Sequence, residues 1–477
     1  MCCPLKLSKF FTLFFLITMV LIPLQAVKAQ DQPADEAPVY IVQAGDTLYD
    51  IAIRFGVSQN DIIQLNQITD ANLVSEGTEL RIPGLEGMSG VLTTTVIPLG
   101  QTMRNLLRQY QMPDDLLVKI NRITSPIELF AGANLILLQS ESQTRLSPRD
   151  ALANGDSLLS LAAGSNLNPW TLVLENGVAN PSAVVPGDQL FSTSINGDQP
   201  EAALSPLVES ITITPLPLVQ GSTADIHITT NKELTLTGTL NGLTLNFFPV
   251  DDGYVALQGI HAMATPGPVQ FEVTAAAANN TAFSVQQNVL LVAGNFAYSP
   301  SIPVDPATID EANTKPEDEQ VRRLIAPVTQ VKQWNGAFLE PIDVPAGYTM
   351  VPDCRTDSFG NRRSYNNGPY NSFHTGIDLS KCGLPGEIYA PAAGTVVFSG
   401  SLIVRGNYTV IDHGWGVYTA YGHQSESFVK AGDHVEAGQL IGMIGDTGRV
   451  DGPHLHWEVW VNGVLVQPLD WIYQTYP

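Results

Sequence analysis

A histidine cluster divided between two segments near the C-terminal end constrains the fold of this chain most strongly. Six of the eight histidines lie from His374 onward. The second segment, residues 454–461, reads HLHWEVWV, and its alternation of polar and apolar residues predicts a β-strand. A period of two places His454, His456 and Glu458 on one face of that strand.

The first segment reads HTGID and contains His374 and Asp378, four residues apart. Thr, Gly and β-branched Ile between them are poor helix formers, so we expect a strand or loop in which the two side chains converge. Two histidines and one aspartate supply three ligands for Zn²⁺ and leave a fourth position for water, which is typical of catalytic zinc sites.

Motifs along the last third of the chain extend this pattern. In chain order they are Arg355, SFGNRR (358–363), HTGID (374–378), APAAGTV (390–396), DHGWG (412–416), TAYGH (419–423) and GPHLHWEV (452–459). With them, the segment 335–477 resembles the lysostaphin-like (LytM-type) zinc endopeptidases, which cut peptidoglycan cross-bridges. One position departs from the family, which often has Leu where this chain has Gln424.

The resemblance implies that His374, Asp378 and His456 bind one Zn²⁺ and that His423 and His454 are catalytic histidines outside the metal shell. Zinc lowers the pKa of bound water from ~15.7 to about 7 and polarises the scissile carbonyl. The chain lacks the helical HExxH glutamate of other zinc proteases. Histidine titrates near pH ~6.5, so His423 and His454 are assigned as general base and transition-state stabiliser, in either order.

Glu458 shares the strand face of the two histidines. It either orients a metal ligand through a hydrogen bond or forms a plain salt bridge on the strand. Short strands with Gly-rich turns and no long amphipathic helix predict an all-β catalytic domain at 335–477.

The N-terminal end reads as an export signal. Lys6 and Lys9 precede an apolar stretch, residues 10–26, and Val27-Lys28-Ala29 places small residues at −3 and −1 before Gln30. This predicts a cleaved signal peptide at residues 1–29. The alternative is an uncleaved membrane anchor, for which the stretch is marginal against a ~30 Å hydrocarbon core.

Cleavage would leave two cysteines, Cys354 and Cys382. In an oxidising compartment they are expected to form a disulfide, with two separate thiols as the alternative.

Residues 38–84 show a β-α-α-β pattern. Thr47 and Ser58 stand where helix N-caps are expected, and Gly56 stands where the first helix should end. With AGDTL and Leu65-Asn66, the segment resembles a LysM module, a family that binds glycans containing N-acetylglucosamine. The resemblance implies a shallow glycan-binding groove at the strand–helix loops, formed by Gly45, Asp46, Thr47 and Asn72.

Two fainter copies follow, at residues 94–139 and 150–193. Gly100-Gln101-Thr102 matches Gly45-Asp46-Thr47, and Asn121 and Asn176 match Asn66. These LysM-like modules either bind glycan or serve as spacers that keep the fold.

The middle of the chain changes character. Short alternating runs at residues 205–297, separated by turns, predict an antiparallel sandwich that looks like an immunoglobulin-like domain. Residues 298–334 are rich in proline and acidic residues and predict a mobile linker.

The formal net charge of −23 disfavours nucleic acid as a partner, because an acidic chain repels phosphate backbones. We therefore expect a multidomain exported zinc endopeptidase that hydrolyses cross-link or stem peptides of peptidoglycan. It would be secreted to the cell wall or envelope, bound to glycan by LysM modules, and free of the membrane after signal cleavage. The alternatives are a non-catalytic wall-binding protein and an activator of another hydrolase; the sequence leaves the scissile bond open.

Overall fold

The structure, a computed structural model, describes most of the chain from residue 37 onward. The ranges are 37–70, 74–125, 128–139, 146–152, 157–164, 167–180, 183–184, 188–193, 205, 207–278 and 282–477. The predicted signal peptide (1–29) and Asn72 lie outside these residues. Among the described residues no helix is long and apolar enough to span a bilayer.

The first two modules share a single sheet and a single core. Its strand order is β2-β1-β3-β4, with β1 parallel to β3. The elements are β1 (Val39–Ile41), α1 (Leu48–Phe55), α2 (Gln59–Leu65), β2 (Glu79–Arg81), β3 (Val91–Val96), α3 (Met103–Tyr110), α4 (Asp114–Asn121) and β4 (Asn134–Gln139). The third module repeats the order with β5 (Ser147–Ala151), α5 (Leu158–Gly164), α6 (Pro169–Glu175) and β6 (Gln189–Ser192).

The predicted helix signals of the first module are confirmed. Thr47 caps α1 by accepting a hydrogen bond from the Asp50 N–H, and Ser58 caps α2 in the same way. Gly56 ends α1 with φ 62°, a left-handed conformation that favours glycine.

The asparagine that recurs in the three modules fastens the second helix to the last strand. Each side chain donates to the carbonyl four residues before it, and it also bonds both backbone groups of a strand residue 15 positions later. The pairs are Asn66 with Arg81, Asn121 with Ile136, and Asn176 with Phe191. This landmark therefore specifies the module fold rather than a ligand.

Two sheets that share one core form the predicted sandwich. Their orders are β11-β10-β14-β15-β8 and β12-β13-β9-β7. The strands are β7 (Ser210–Thr214), β8 (Leu218–Val219), β9 (Thr223–Thr229), β10 (Thr235–Leu240), β11 (Leu243–Thr244), β12 (Phe248–Val250), β13 (Gly253–Gly259), β14 (Gly267–Ala276) and β15 (Ala282–Val292). Its likeness to immunoglobulin domains stays a prediction.

The prediction that residues 298–334 form a mobile linker is wrong. This segment contains a 15-residue helix, α7 (Glu311–Ile325), whose Val321 and Ile325 are buried in the core of the last domain. Asp310 caps this helix. Proline and acidic residues suggested disorder, but two well-placed apolar residues are enough to dock the helix.

The last domain is mostly β rather than all-β, because it also contains a short α-helix at Pro468–Tyr473 and a short helical turn at Met350–Cys354. Its principal sheet follows the order β16-β19-β26-β23-β22-β21-β24. The elements are β16 (Arg355–Asp357), β17 (Arg362–Arg363), β18 (Ser372–Phe373), β19 (Ile377–Leu379), β20 (Glu387–Tyr389), β21 (Gly394–Leu402), β22 (Gly406–Gly414), β23 (Val417–Ser427), β24 (His434–Val435), β25 (Leu440–Ile444), β26 (Leu455–Val461), β27 (Val464–Val466) and α8 (Pro468–Tyr473).

The sandwich packs directly against this last domain. Phe248 of β12 stacks on Trp415 with ring centroids 4.6 Å apart. The Trp471 indole N–H donates to Thr223 Oγ1 at 3.1 Å. Buried aromatic contacts of this kind hold neighbouring domains in a defined arrangement.

Candidate metal centre

Three side chains converge at the centre of the last domain. His374 Nε2, Asp378 Oδ1 and His456 Nδ1 lie 3.0, 3.1 and 2.8 Å from one another. No other group of three potential ligands is found among the described residues. A tetrahedral Zn²⁺ with ~2.0–2.1 Å bonds places its ligand atoms about 3.3 Å apart. The three atoms therefore fit one such ion after shifts of a few tenths of an ångström.

Strand pairing brings these ligands together. Asp378 on β19 lies directly opposite His456 on β26, and opposite residues of an antiparallel pair share a face. Gly376 makes the approach of the His374 segment possible, because a Cβ there would lie 2.2 Å from the Trp457 carbonyl oxygen. A larger residue at this position would push His374 away from the other two ligands.

Each ligand histidine also has an outer hydrogen-bond partner. His374 Nδ1 lies 3.0 Å from the Ser358 carbonyl oxygen, and His456 Nε2 lies 3.1 Å from Glu458 Oε1. The Thr375 hydroxyl lies between His456 Nε2, at 3.0 Å, and Glu458, at 2.8 Å. Such partners fix the tautomer and orientation of metal-binding histidines. Of the two alternatives for Glu458, these contacts favour the one in which it orients a metal ligand.

Glu458 is itself fully buried and held in place. It accepts hydrogen bonds from the Tyr408 hydroxyl at 2.6 Å and the Trp460 indole at 3.1 Å. Burial opposes ionisation, but the bond to His456 and the charge of Arg405 keep the pKa of Glu458 below its usual range. Glu458 is therefore an ionised carboxylate that is held in a fixed position next to His456.

The charges of the ligands support one another. Burial opposes ionisation of Asp378, yet His374 and His456 hold its pKa well below the usual range. Burial also lowers the pKa of His456, but hydrogen bonds to Asp378 and Glu458 outweigh it and raise that pKa to about 9. Two carboxylates, Asp378 and Glu458, thus contact the His456 imidazole, and a divalent cation bound there would replace the proton that His456 has to lose.

Two further imidazoles, His423 and His454, stand beside the three ligands. Their ring centroids are 4.9 Å apart, and His454 Nε2 lies 3.5 Å from Asp378 Oδ1. His423 adopts φ 63° within β23, which turns its ring toward His456, with centroids 5.9 Å apart. Burial and the neighbouring His456 and His454 lower the pKa of His423 to about 3.

Both imidazoles are oriented by backbone carbonyls. His423 Nδ1 lies 2.7 Å from the Thr447 oxygen, and His454 Nδ1 lies 2.9 Å from the Gly452 oxygen. A carbonyl can only accept, so each Nδ1 carries a proton and each Nε2 of a neutral ring has a free lone pair. The site therefore has two imidazole nitrogens able to accept a proton.

The remaining histidines of the domain behave as bystanders. His413 is fully buried between the Ala393 carbonyl and the Thr419 hydroxyl, and burial lowers its pKa to about 4. His434 has 55% of its side chain exposed.

A disulfide joins Cys354, which stands immediately before β16, to Cys382, which follows β19.

Sequence reasoning missed several contributors to the site. Ser358 acts through its backbone, and Thr375 acts only because the chain turns at Gly376. Arg363 reaches Asp357 and lies 3.8 Å from Asp378 Oδ2. Their motifs were noted, but no spacing rule indicates such roles. Tyr408 could be linked to Glu458 only once β22 and β26 were known to share a sheet.

The predicted glycan loop of the first module uses its side chains internally. The Asp46 carboxylate pairs with Arg54 at 2.9 Å and accepts from the Tyr40 hydroxyl at 2.6 Å and the Gln43 N–H at 2.9 Å. The Thr47 hydroxyl caps α1. Asp46 is therefore a structural residue here, and the loop offers a ligand mainly the backbone around Gly45.

The equivalent loop of the second module faces the sandwich. The Gly100 N–H donates to Gln287 Oε1 at 2.7 Å, and Leu99 is buried in the sandwich core. Ala131 pairs through its backbone with β15. This module therefore joins the first module to the sandwich.

Two family models match the chain. Residues 372–468 match peptidase family M23, and residues 40–83 match the LysM domain. The first match contains the three ligands together with His423 and His454. The second contains the loop at Gly45.

Curated relatives match a minor part of the chain. The chain is 37% identical over 147 residues to the DD-carboxypeptidase/endopeptidase Mpg of Neisseria meningitidis serogroup B, which covers 29% of this chain and 30% of that protein. It is 45% identical over 91 residues to the peptidoglycan DD-endopeptidase ShyA of Vibrio cholerae, covering 19% and 21%. The matches thus span less than a third of each relative.

Among solved structures, a putative peptidase M23 from Pseudomonas aeruginosa is 24% identical, covering 54% of this chain and 95% of that chain, with a TM-score of 0.38. A score this low says nothing about the arrangement of domains. The peptidase family model and the group of three potential ligands coincide in the last domain. The chain therefore contains a domain that matches peptidase family M23 at residues 372–468 and a domain that matches LysM at residues 40–83.

Proposed function

We propose that this protein is an exported zinc endopeptidase that hydrolyses peptide bonds in peptidoglycan cross-links or stems. One observation carries the proposal: three ligand atoms within 3.1 Å of one another stand beside two imidazoles with free Nε2 atoms. The relatives named as a DD-carboxypeptidase/endopeptidase and a peptidoglycan DD-endopeptidase support peptidoglycan as the substrate.

His374, Asp378 and His456 would hold the ion, and the set of two imidazoles and one carboxylate suits zinc. When bound, zinc supplies a Lewis acid that makes water more acidic and polarises the scissile carbonyl. Glu458 and the Ser358 carbonyl keep the two ligand imidazoles in the tautomers that binding requires.

His423 and His454 move the protons of the reaction. The Nε2 of one imidazole accepts a proton from the attacking water and returns it to the leaving amine. The other imidazole stabilises the negative charge that develops on the carbonyl oxygen only in its protonated form, because Nε2 must then carry a proton that it can donate. His454 lies nearer to Asp378, which favours His454 as the proton acceptor.

The LysM domain holds the substrate near this site. Its exposed Gly45 loop provides backbone groups for close approach to acetamido groups of N-acetylglucosamine. Tethering raises the local concentration of wall peptide without new contacts at the metal. Location in the cell wall or envelope, after removal of residues 1–29, follows from the same proposal.

The test uses purified residues 30–477 loaded with zinc and isolated cell walls. The protein should solubilise the walls and release new free amines. His454→Ala should lower amine release by about 10²–10⁴-fold while wall binding stays unchanged. His434→Ala is the matched control, because His434 is exposed and distant from the metal ligands in the fold, and it should behave as wild type.

Amine release by the His454→Ala variant at the wild-type rate would contradict the assignment. A zinc-loaded wild-type protein that binds walls and releases no amine would instead favour the non-catalytic wall-binding alternative.

A further inference from the structure

The segment between the sandwich and the last domain runs along the metal groove. We call residues 298–318 the strap. A cavity of about 1170 Å³ is lined both by strap residues, including Val304, Asp305 and Thr308, and by His374 and His454. The strap is therefore a wall of the groove in which the metal ligands lie.

The first half of the strap is bonded to one side of the groove. The Ile302 N–H donates to the Ser364 oxygen at 2.9 Å, and the Asn366 N–H donates back to the Ile302 oxygen at 3.0 Å. The Asn366 side chain bonds both backbone groups of Val304, at 2.9 and 3.0 Å. This pairing, which includes an isolated parallel bridge between Ile302 and Tyr365, holds the strap against the segment that leads to His374.

The second half is bonded to the opposite side. Arg405 pairs with Glu317 at 2.8 Å and with Asp318 at 3.1 Å, and the Val404 N–H donates to Glu317 at 2.9 Å. Glu317 is 5% exposed, so this ion pair is largely shielded from solvent. The strap thus crosses from one side of the groove to the other.

The two sides also touch each other beside the strap. The Arg449 guanidinium lies 4.5 Å from the centre of the Tyr365 ring and donates to its hydroxyl at 3.2 Å. It also donates to the Thr308 oxygen of the strap at 2.9 Å. Tyr365 and Arg449 line the same cavity as His374 and His454, so this contact bridges the groove that contains the metal centre.

We propose that Tyr365, Arg449 and the strap close one end of the substrate groove and limit peptide length on one side of the scissile bond. This inference rests on the proposed function. We call the part of the peptide on either side of the scissile bond an arm. The preferred substrates are cross-linked or free stem peptides whose arm on the closed side is short. A long arm there would have to break the bridge or lose contact with the metal centre, and such clashes give specificity.

The test measures cleavage of synthetic stem-peptide dimers lengthened by zero to six glycine residues on one arm or on the other. Zinc-loaded wild type should lose about tenfold or more in kcat/KM when one arm is lengthened and less than about twofold for the other arm. Arg449→Ala and Tyr365→Ala should each reduce the larger loss to less than about threefold. The matched control is Arg323→Ala, at a side chain on α7 that is 68% exposed, and it should retain the wild-type asymmetry.

Equal loss for both arms in wild type would overturn the inference, and so would unchanged asymmetry in both bridge variants. Failure of the proposed function has a different signature, which is no cleavage of any dimer by zinc-loaded wild type. In that case the affinities of the same dimers for the zinc-loaded His454→Ala variant, measured by calorimetry, provide the test. Arm-dependent affinity supports the closed end, and arm-independent affinity refutes it.

Discussion

The metal centre and the Gly45 loop of the first module, the two regions proposed to contact the wall, use their side chains in opposite ways. At the metal centre, side-chain atoms of His374, Asp378 and His456 point at one another with their partners arranged behind them. In the loop, Asp46 and Thr47 bond the module itself. If both regions contact the wall as proposed, the metal centre would act through side chains, whereas the loop would present mainly its backbone, because Asp46 and Thr47 already bond the module.

This contrast has consequences for substitutions. A change at the metal centre should abolish activity while the domain stays folded. A change at Asp46 should weaken the module fold while the backbone of the folded loop stays the same. The following predictions, from the largest effect to the smallest, test that division.

Replacing the second imidazole tests the metal centre most severely. His423→Ala should lower the rate of amine release from cell walls by about 10²–10⁴-fold, because it removes one of two nitrogens free to exchange protons. Wall binding, measured by sedimentation with isolated walls, should not change. A loss of wall binding in this variant would show that the two regions are not separate.

Changing the carboxylate behind His456 should have a smaller effect. Glu458→Gln keeps the shape but removes the charge that orients His456, so zinc affinity should fall about 10–100-fold. Competition with a chromogenic chelator measures it. Glu436→Ala, at a side chain that is 78% exposed, is the control, and equal affinities for the two variants would argue against a role for Glu458.

Asp46→Ala tests the other region. Removing one partner of a largely buried ion pair should destabilise the first module by about 2–3 kcal/mol. The change should appear in the thermal unfolding transition of the first two modules, which share one core, with Glu76→Ala at an exposed position as control. Wall affinity below that transition should equal that of wild type. A lower affinity with an unchanged transition would instead place the Asp46 carboxylate in contact with glycan.

Asp225 provides the opposite case to Asp46, because it is a partly buried carboxylate whose buried Oδ1 lacks a hydrogen-bond partner among the described residues. Burial raises its pKa to about 6, although His227 opposes the shift. The folded state binds this proton more tightly than the unfolded state, whose pKa is ~3.9. Its contribution to stability is therefore present below about pH 4 and lost as the pH rises to about 6.

Asp225→Asn should remove this contribution to the pH dependence, worth at most about 3 kcal/mol across that window. Urea unfolding of the sandwich transition at pH 4, 6 and 8 measures it. A wild-type sandwich whose stability changes with pH as it does in the variant would contradict the buried, unpaired state of Asp225.

The sequence predicted the elements whose residues follow a regular period. The alternation around His456 and the caps at Thr47 and Gly56 were sufficient, because each depends on neighbours a few residues away. The choice of His456 as the ligand came from the family resemblance. The hydrogen bond that His374 Nδ1 donates to the Ser358 carbonyl could not be predicted. Its acceptor is a backbone atom, and the two residues meet only in the folded domain.

The strap shows the same limit in a different way. The composition of residues 298–334 indicated a flexible linker, and Pro316 lies within the helix α7. The contacts that order it involve Glu317 with Arg405 and the buried Val321. Glu317 and Arg405 are far apart in the chain, so no local sequence pattern predicts their contact.

Zinc content is the most direct test of the central claim that His374, Asp378 and His456 share one ion. Purified residues 30–477, dialysed against metal-free buffer, should retain about one zinc per chain by plasma mass spectrometry. Asp378→Ala should retain almost none while its β-sheet circular dichroism stays unchanged. A folded wild-type protein with no bound zinc after exposure to the ion, or an Asp378→Ala variant that binds zinc as tightly as wild type, would contradict the account.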